Sequence, residues 1–248
     1  MPRDRSCSMA SVALVLTLLA HPAGGAASEG STPKALDRLV EAVLEAHGGQ
    51  KALRAVQALK VVGRLKAVVR GDEGTATIHF QHPDKLYSEN AYGGRREVRI
   101  VNGSQGWIKT GGTFQLVPPD AMLAMRYSLI TYRLPLELAT RREDLTYLGR
   151  VEQGGRRFEV LELSYPNTIM VRVFLESASK RIAQVAGYIT AGGKTFILSR
   201  VLDDYREVAG VAYPFHQRYY SGRRLLAEKW VEAVETNPRQ PEGLFRPK

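Results

Sequence analysis

From residue 75 to residue 116 the chain alternates. In residues 75–81, Ala76, Ile78 and Phe80 project to one side of an extended backbone and Thr75, Thr77, His79 and Gln81 to the other, giving one apolar and one wet face. His82-Pro83, Gly93-Gly94, Asn102-Gly103 and Gly111-Gly112 cut the stretch into strand-length runs. Asn-Gly and Gly-Gly accept the positive φ of tight hairpin turns, so the pattern predicts an antiparallel meander. The same pattern spans 60–70 and, further on, 145–153, 156–165, 169–176, 181–190, 194–205, 211–220 and 223–235, with Gly-Gly or Ser-Gly punctuation between several runs. We read about eleven strands; a sheet of that size curls or splits because strand twist accumulates.

Helical spacing occurs in two places. Ser31 or Thr32 can cap a helix opened by Pro33; Leu36, Leu39, Val40, Val43 and Leu44 line one face, and Gly48-Gly49 closes it. A shorter helix follows over 50–59, with Leu53 and Val56. Pro118-Pro119 stops the sixth strand, and 120–142 reads as one or two helices with Met122, Leu123, Met125, Tyr127, Leu129, Ile130 and Leu134 on more than one face. Such a segment either covers an apolar hollow as a lid or completes the core. The expected fold class is therefore α+β, mainly β: a large curved antiparallel sheet, an incomplete barrel, wrapped around N-terminal and lid helices in one domain over 28–236. A Pro-rich, loosely ordered tail is expected over 237–248.

Composition changes the picture at the N-terminus. Arg3 and Arg5 precede an apolar run of about a dozen residues and the small residues Ala23 to Ala27, the pattern of an export signal over 1–27 cleaved near Ala26 or Ala27. Cys7, the single cysteine, lies before the apolar run and would leave with it, so burial alone must hold the mature domain. The formal charge of +10 suits transient contact with an anionic membrane or polymer, or simply solubility; export makes nucleic acid an unsuitable partner.

No motif for covalent chemistry is present. His79 and His82 are three apart on a strand and face opposite ways, the HExxH, GxSxG and phosphate-loop patterns are missing, and the neighbours Asp203 and Asp204 also diverge. We therefore expect no catalytic residues, no metal and no cofactor. What remains is apolar surface, and Phe80, Tyr87, Trp107, Leu116, Met122, Met125, Leu129 and Tyr213 are the candidate cavity and lid residues.

Four segments carry a resemblance: His-Gly-Gly at 47–49, HPDKLYSE at 82–89, VNGSQGW at 101–107 and LDDYREVAGVAYPF at 202–215. Together with the export signal they resemble the LolA/LolB-like superfamily of periplasmic lipoprotein carriers. The resemblance implies a curved sheet with a helical lid over a hydrophobic cavity that takes acyl chains of lipids or lipoproteins, in a periplasmic, non-enzymatic monomer. A bilayer offers an acyl chain the same apolar surroundings, so directional transport also requires membrane-associated donor and acceptor proteins. Two other readings stay open: an envelope interaction module with a filled core and basic docking surface, and an envelope enzyme with a dispersed active site.

Overall fold

The computed structural model describes residues 33–166 and 169–248, so the expected export signal, Cys7 and the Ser31/Thr32 cap lie outside the described residues. Helices α1 (Pro33–Ala46) and α2 (Gly49–Ala55) precede strands β1 (Ala58–Ala67), β2 (Asp72–Gln81), β3 (Lys85–Tyr92), β4 (Arg95–Asn102), β5 (Gln105–Thr110) and β6 (Gln115–Leu116). Helices α3 (Pro119–Arg133) and α4 (Leu136–Thr140) follow. Seven longer strands complete the sheet: β7 (Leu145–Gln153), β8 (Arg156–Tyr165), β9 (Ile169–Glu176), β10 (Ile182–Ala191), β11 (Lys194–Val208), β12 (Val211–Ser221) and β13 (Arg224–Thr236). Thirteen strands form one antiparallel sheet, against the eleven or so expected, in the order β6-β5-β4-β3-β2-β1-β13-β12-β11-β10-β9-β8-β7. It is not closed into a barrel.

One helix reveals how far the sheet bends. Helix α3 packs against both β5 and β10, the second and tenth strands of that order. With strands about 4.8 Å apart, a flat sheet would separate those two by roughly 38 Å. A helix of 15 residues is only about 22 Å long. The sheet must therefore curl around α3. Register shifts at Val62/Gly63, Ile182/Gln184, Tyr219/Tyr220 and Tyr147/Gly149 supply bulges that sharpen the bend.

The alternation read in β2 sorts as the pattern requires, with Ala76, Ile78 and Phe80 buried. Ile78 and Phe80 share the concave side with Leu59, Val61, Leu86 and Val101, under Met122, Met125 and Leu129 of α3. The opposite side is not uniformly wet. His79 is buried there, its ring 5.9 Å from that of Tyr87 and its Nδ1 2.8 Å from Gln240 Oε1. The C-terminal segment lies over this convex side, and Phe245 packs on Val98 and Ile100 beside Trp107.

Two of the quoted sequence segments meet. The His47 carbonyl accepts the Ala212 N–H at 3.2 Å, and a Cβ on Gly48 would stand 2.0 Å from the Gly210 carbonyl oxygen. Gly48 also has a φ of +111°, so no L side chain fits there. His47 is buried and ties α1 to β10: its Nδ1–H donates to Val43 O at 2.7 Å, leaving Nε2 to accept from the Ile182 N–H at 3.5 Å. Burial lowers the His47 pKa, the charge of Arg181 lowers it further, and the bond to Val43 opposes them.

Gly48→Ala should destabilise the protein by about 3 kcal/mol or more, read as a drop in the urea midpoint, because both the left-handed backbone and the clash oppose it. Protonating His47 would set an Nε2–H against the Ile182 N–H. The unfolded chain binds that proton more readily, so the stability contributed by neutral His47 is intact above the ordinary histidine value and declines as pH falls below about 6.5. Urea unfolding followed down to pH 5 should show that decline, and His47→Gln should flatten it.

Candidate functional site

A cavity of about 540 Å³ lies on the concave side of the sheet, in the range of small-molecule sites. Helix α2 and the α3–α4 junction, residues 131–140, bound it from one side; strands β1 and β10 to β13 bound it from the other. Leu134 precedes Pro135 and is extended, which ends α3 at that point and leaves the hollow beyond the helix end. Leu59, Val61, Phe80, Leu202, Tyr213 and Val231 make most of the wall apolar. Arg54, Gln57 and His82 also line it and are exposed, so the cavity meets solvent on their side.

The inner end is polar and cationic. Arg200 lines the cavity and is 8 % exposed; Lys229, on the neighbouring inward register of β13, is 1 % exposed. The Arg200 guanidinium carbon stands 5.9, 5.5 and 5.0 Å from the rings of Tyr127, Tyr132 and Tyr219, and Lys229 Nζ 5.5 Å from that of Tyr219. Tyr127 and Tyr132 come from α3, so the helix itself rests on this cation. The Tyr127 hydroxyl is spent on the Val185 carbonyl at 2.9 Å and that of Tyr219 on Gln217 Oε1 at 2.7 Å. The Tyr132 hydroxyl lies close to both cations, yet Lys229 Nζ makes no hydrogen bond of good geometry. Burial pushes the Lys229 pKa down and Arg200 pushes the same way, while Tyr132 opposes them.

Other buried charges are matched. Glu137, 2 % exposed at the α3–α4 junction, accepts from the Tyr165 hydroxyl at 2.7 Å and pairs with Arg133. Glu159 receives Tyr147, Arg150 and Lys180.

The eight residues expected to form the site fall into four groups. Phe80 and Tyr213 line the cavity. Met122 and Leu116 line a second, more open hollow of about 490 Å³ between β5–β6 and the β10–β11 turn, where Leu116 is 63 % exposed. Met125 and Leu129 are core beneath α3, and Tyr87 and Trp107 stand on the convex side with Phe245. Arg200, Gln217, Lys229 and Tyr132 were not singled out in the sequence, and Leu202 only as the first residue of the 202–215 segment. The available signal was parity: Arg200 takes the inward register between Leu198 and Leu202, where an apolar residue belongs. Among the described residues no three His, Cys, Asp or Glu side chains group as metal ligands, and no helix is long and apolar enough to cross a membrane.

An ammonium held in this setting opposes folding. Lys229→Met, which keeps the stem and removes the charge, should therefore stabilise the ligand-free protein by about 1 kcal/mol or more, read as a rise in the urea midpoint.

No protein-family model matches the chain, and neither does the sequence of any curated protein. Solved structures do. A domain assigned to outer membrane lipoprotein sorting, from Vibrio parahaemolyticus, superposes with a TM-score of 0.53 at 12% identity, over 85% of this chain and 97% of that one. A LolA superfamily protein from Nitrosomonas europaea gives 0.52 at 13% identity over 83% and 96%. A DUF1329 family protein from Desulfovibrio piger gives 0.53 at 9% identity over 85% and 97%. The chain thus shares the fold of these structures, an open and strongly curved antiparallel sheet covered by helices.

Proposed function

We propose that the protein is an exported periplasmic carrier that binds the acyl portion of a lipid or lipoprotein in the cavity beyond the end of α3 and performs no covalent chemistry on it. The observation that carries this reading is the hollow itself. A sheet that wraps a lid helix over most of its length leaves about 540 Å³ unfilled, walled mainly by apolar side chains and reaching solvent beside Arg54, Gln57 and His82. A docking module with a filled core has no use for such a space. Leu202 points into it and is only half-buried, although its strand neighbour Val201 is buried.

Energetics define what else a carrier needs. Each methylene moved from water into the cavity contributes about 0.8 kcal/mol, so a long chain is held firmly against water. Moving the same chain out of a bilayer gains almost nothing. Membrane-associated donor and acceptor proteins therefore supply direction, and the cavity protects the chain between them.

The full chain, expressed with its own N-terminus and recovered from the envelope fraction, should carry co-purifying acyl lipid in native mass spectrometry. Leu202→Trp fills the hollow and should reduce that lipid at least about tenfold while the thermal midpoint stays close to wild type. A wild-type protein that recovers no lipid and takes up none from labelled vesicles would sink the carrier reading in favour of a docking module.

A further inference from the structure

Arg200 and Lys229 make an unusual pair. Both are more than nine-tenths buried, they lie close enough for Arg200 to oppose the charge on Lys229, and neither pairs with a carboxylate among the described residues. The groups that face them are Tyr127 and Tyr132 from α3, and Tyr219 and Gln217 from β12. None of these carries negative charge at neutral pH. Burying an unmatched cation is expensive, and three aromatic faces offset only part of that penalty. Elsewhere in this interior the buried charges, Glu137 and Glu159, have counter-charges, so the fold does not tolerate such imbalance generally. The exception sits where a ligand can reach it, because Arg200 and Gln217 line the cavity.

Resting on the carrier reading, we infer that the ligand is an anionic amphiphile, an acyl chain ending in a carboxylate or phosphate, which seats its head on Arg200 at the inner end of the cavity. The guanidinium presents a planar fork of N–H donors that matches two oxygens of either head group. Tyr132 and Gln217 border the same end and can complete the polar contacts, while Lys229, its Nζ 5.5 Å from the Tyr219 ring, adds positive potential. The tail lies along Leu59, Val61, Phe80, Leu202 and Val231. This polarity sets the cargo apart from a neutral amide- or ester-linked acyl group, which offers Arg200 no charge.

The test compares laurate, dodecyl phosphate, dodecanol and inorganic phosphate, titrated calorimetrically into delipidated wild-type protein, with laurate and dodecyl phosphate kept below their micellar concentrations and dodecanol below its solubility limit. Laurate and dodecyl phosphate should bind at least about tenfold more tightly than dodecanol, and inorganic phosphate much more weakly than dodecyl phosphate. Arg200→Gln should bring both anionic amphiphiles down to the affinity of dodecanol, and Arg200→Lys should recover part of the difference. Equal binding of laurate and dodecanol overturns the head-group assignment and leaves the carrier reading standing. Failure of all three amphiphiles to bind removes both. Inorganic phosphate binding as tightly as dodecyl phosphate overturns the amphiphile in favour of a plain anion site. Should Arg200→Gln not fold, the wild-type series decides alone.

Discussion

The fold depends on how α3 is seated. Its apolar side chains point in several directions, and each finds a surface because the sheet comes around to meet it. On one side Met122 and Met125 lie over Gly106 of β5, where an added Cβ would be 2.6 Å from the Met122 sulfur. On another the Tyr127 ring lies on Gly187 of β10, where a Cβ would be 2.4 Å from the ring. Two glycines on opposite arms of the sheet thus let the backbone approach the helix closely. A thirteen-stranded sheet has to relieve its twist somehow, and curling onto an apolar helix converts that need into buried area.

The hollow follows from the same arrangement. Helix α3 fills the concave side only as far as it runs. It ends before Pro135, the chain turns into α4, and a second core gathers α1, α2, α4 and β7 to β10 around Tyr127 and Ile130 of α3. Val56 and Tyr213 touch both that core and the one under α3, and the hollow opens beside them. Tyr132 of α3 and Arg200 line the hollow together, and Lys229 is buried 5.5 Å from the ring of Tyr219. Stability comes from the packed regions around it, so the hollow can stay unfilled without cost to the rest of the core.

The convex side shows the complementary economy. Val98 and Ile100 would leave an apolar patch on the outside of the sheet, and Phe245 covers it. The sheet edge at β6 is only two residues long, which offers little to an incoming strand.

What the sequence determined by itself was local. Alternation with Gly-Gly and Asn-Gly breaks placed the hairpins, since a tight turn demands positive φ at adjacent positions and few other residues supply it; Gly93-Gly94 and Gly192-Gly193 adopt it. Helical spacing placed α1, and the many-sided apolar character of 120–142 marked a segment needing cover on several sides. Period-two alternation groups side chains by face but does not say which face turns inward. Tyr87 and Trp107 therefore looked as suitable for a cavity as Phe80 and Tyr213, and only the direction of curvature separates them. Arg200, Lys229 and Tyr132 lie tens of residues apart and look unremarkable singly. Their meeting is decided by the strand order β13-β12-β11 and by α3 crossing over it, because a buried charge has meaning only through neighbours that the tertiary structure supplies.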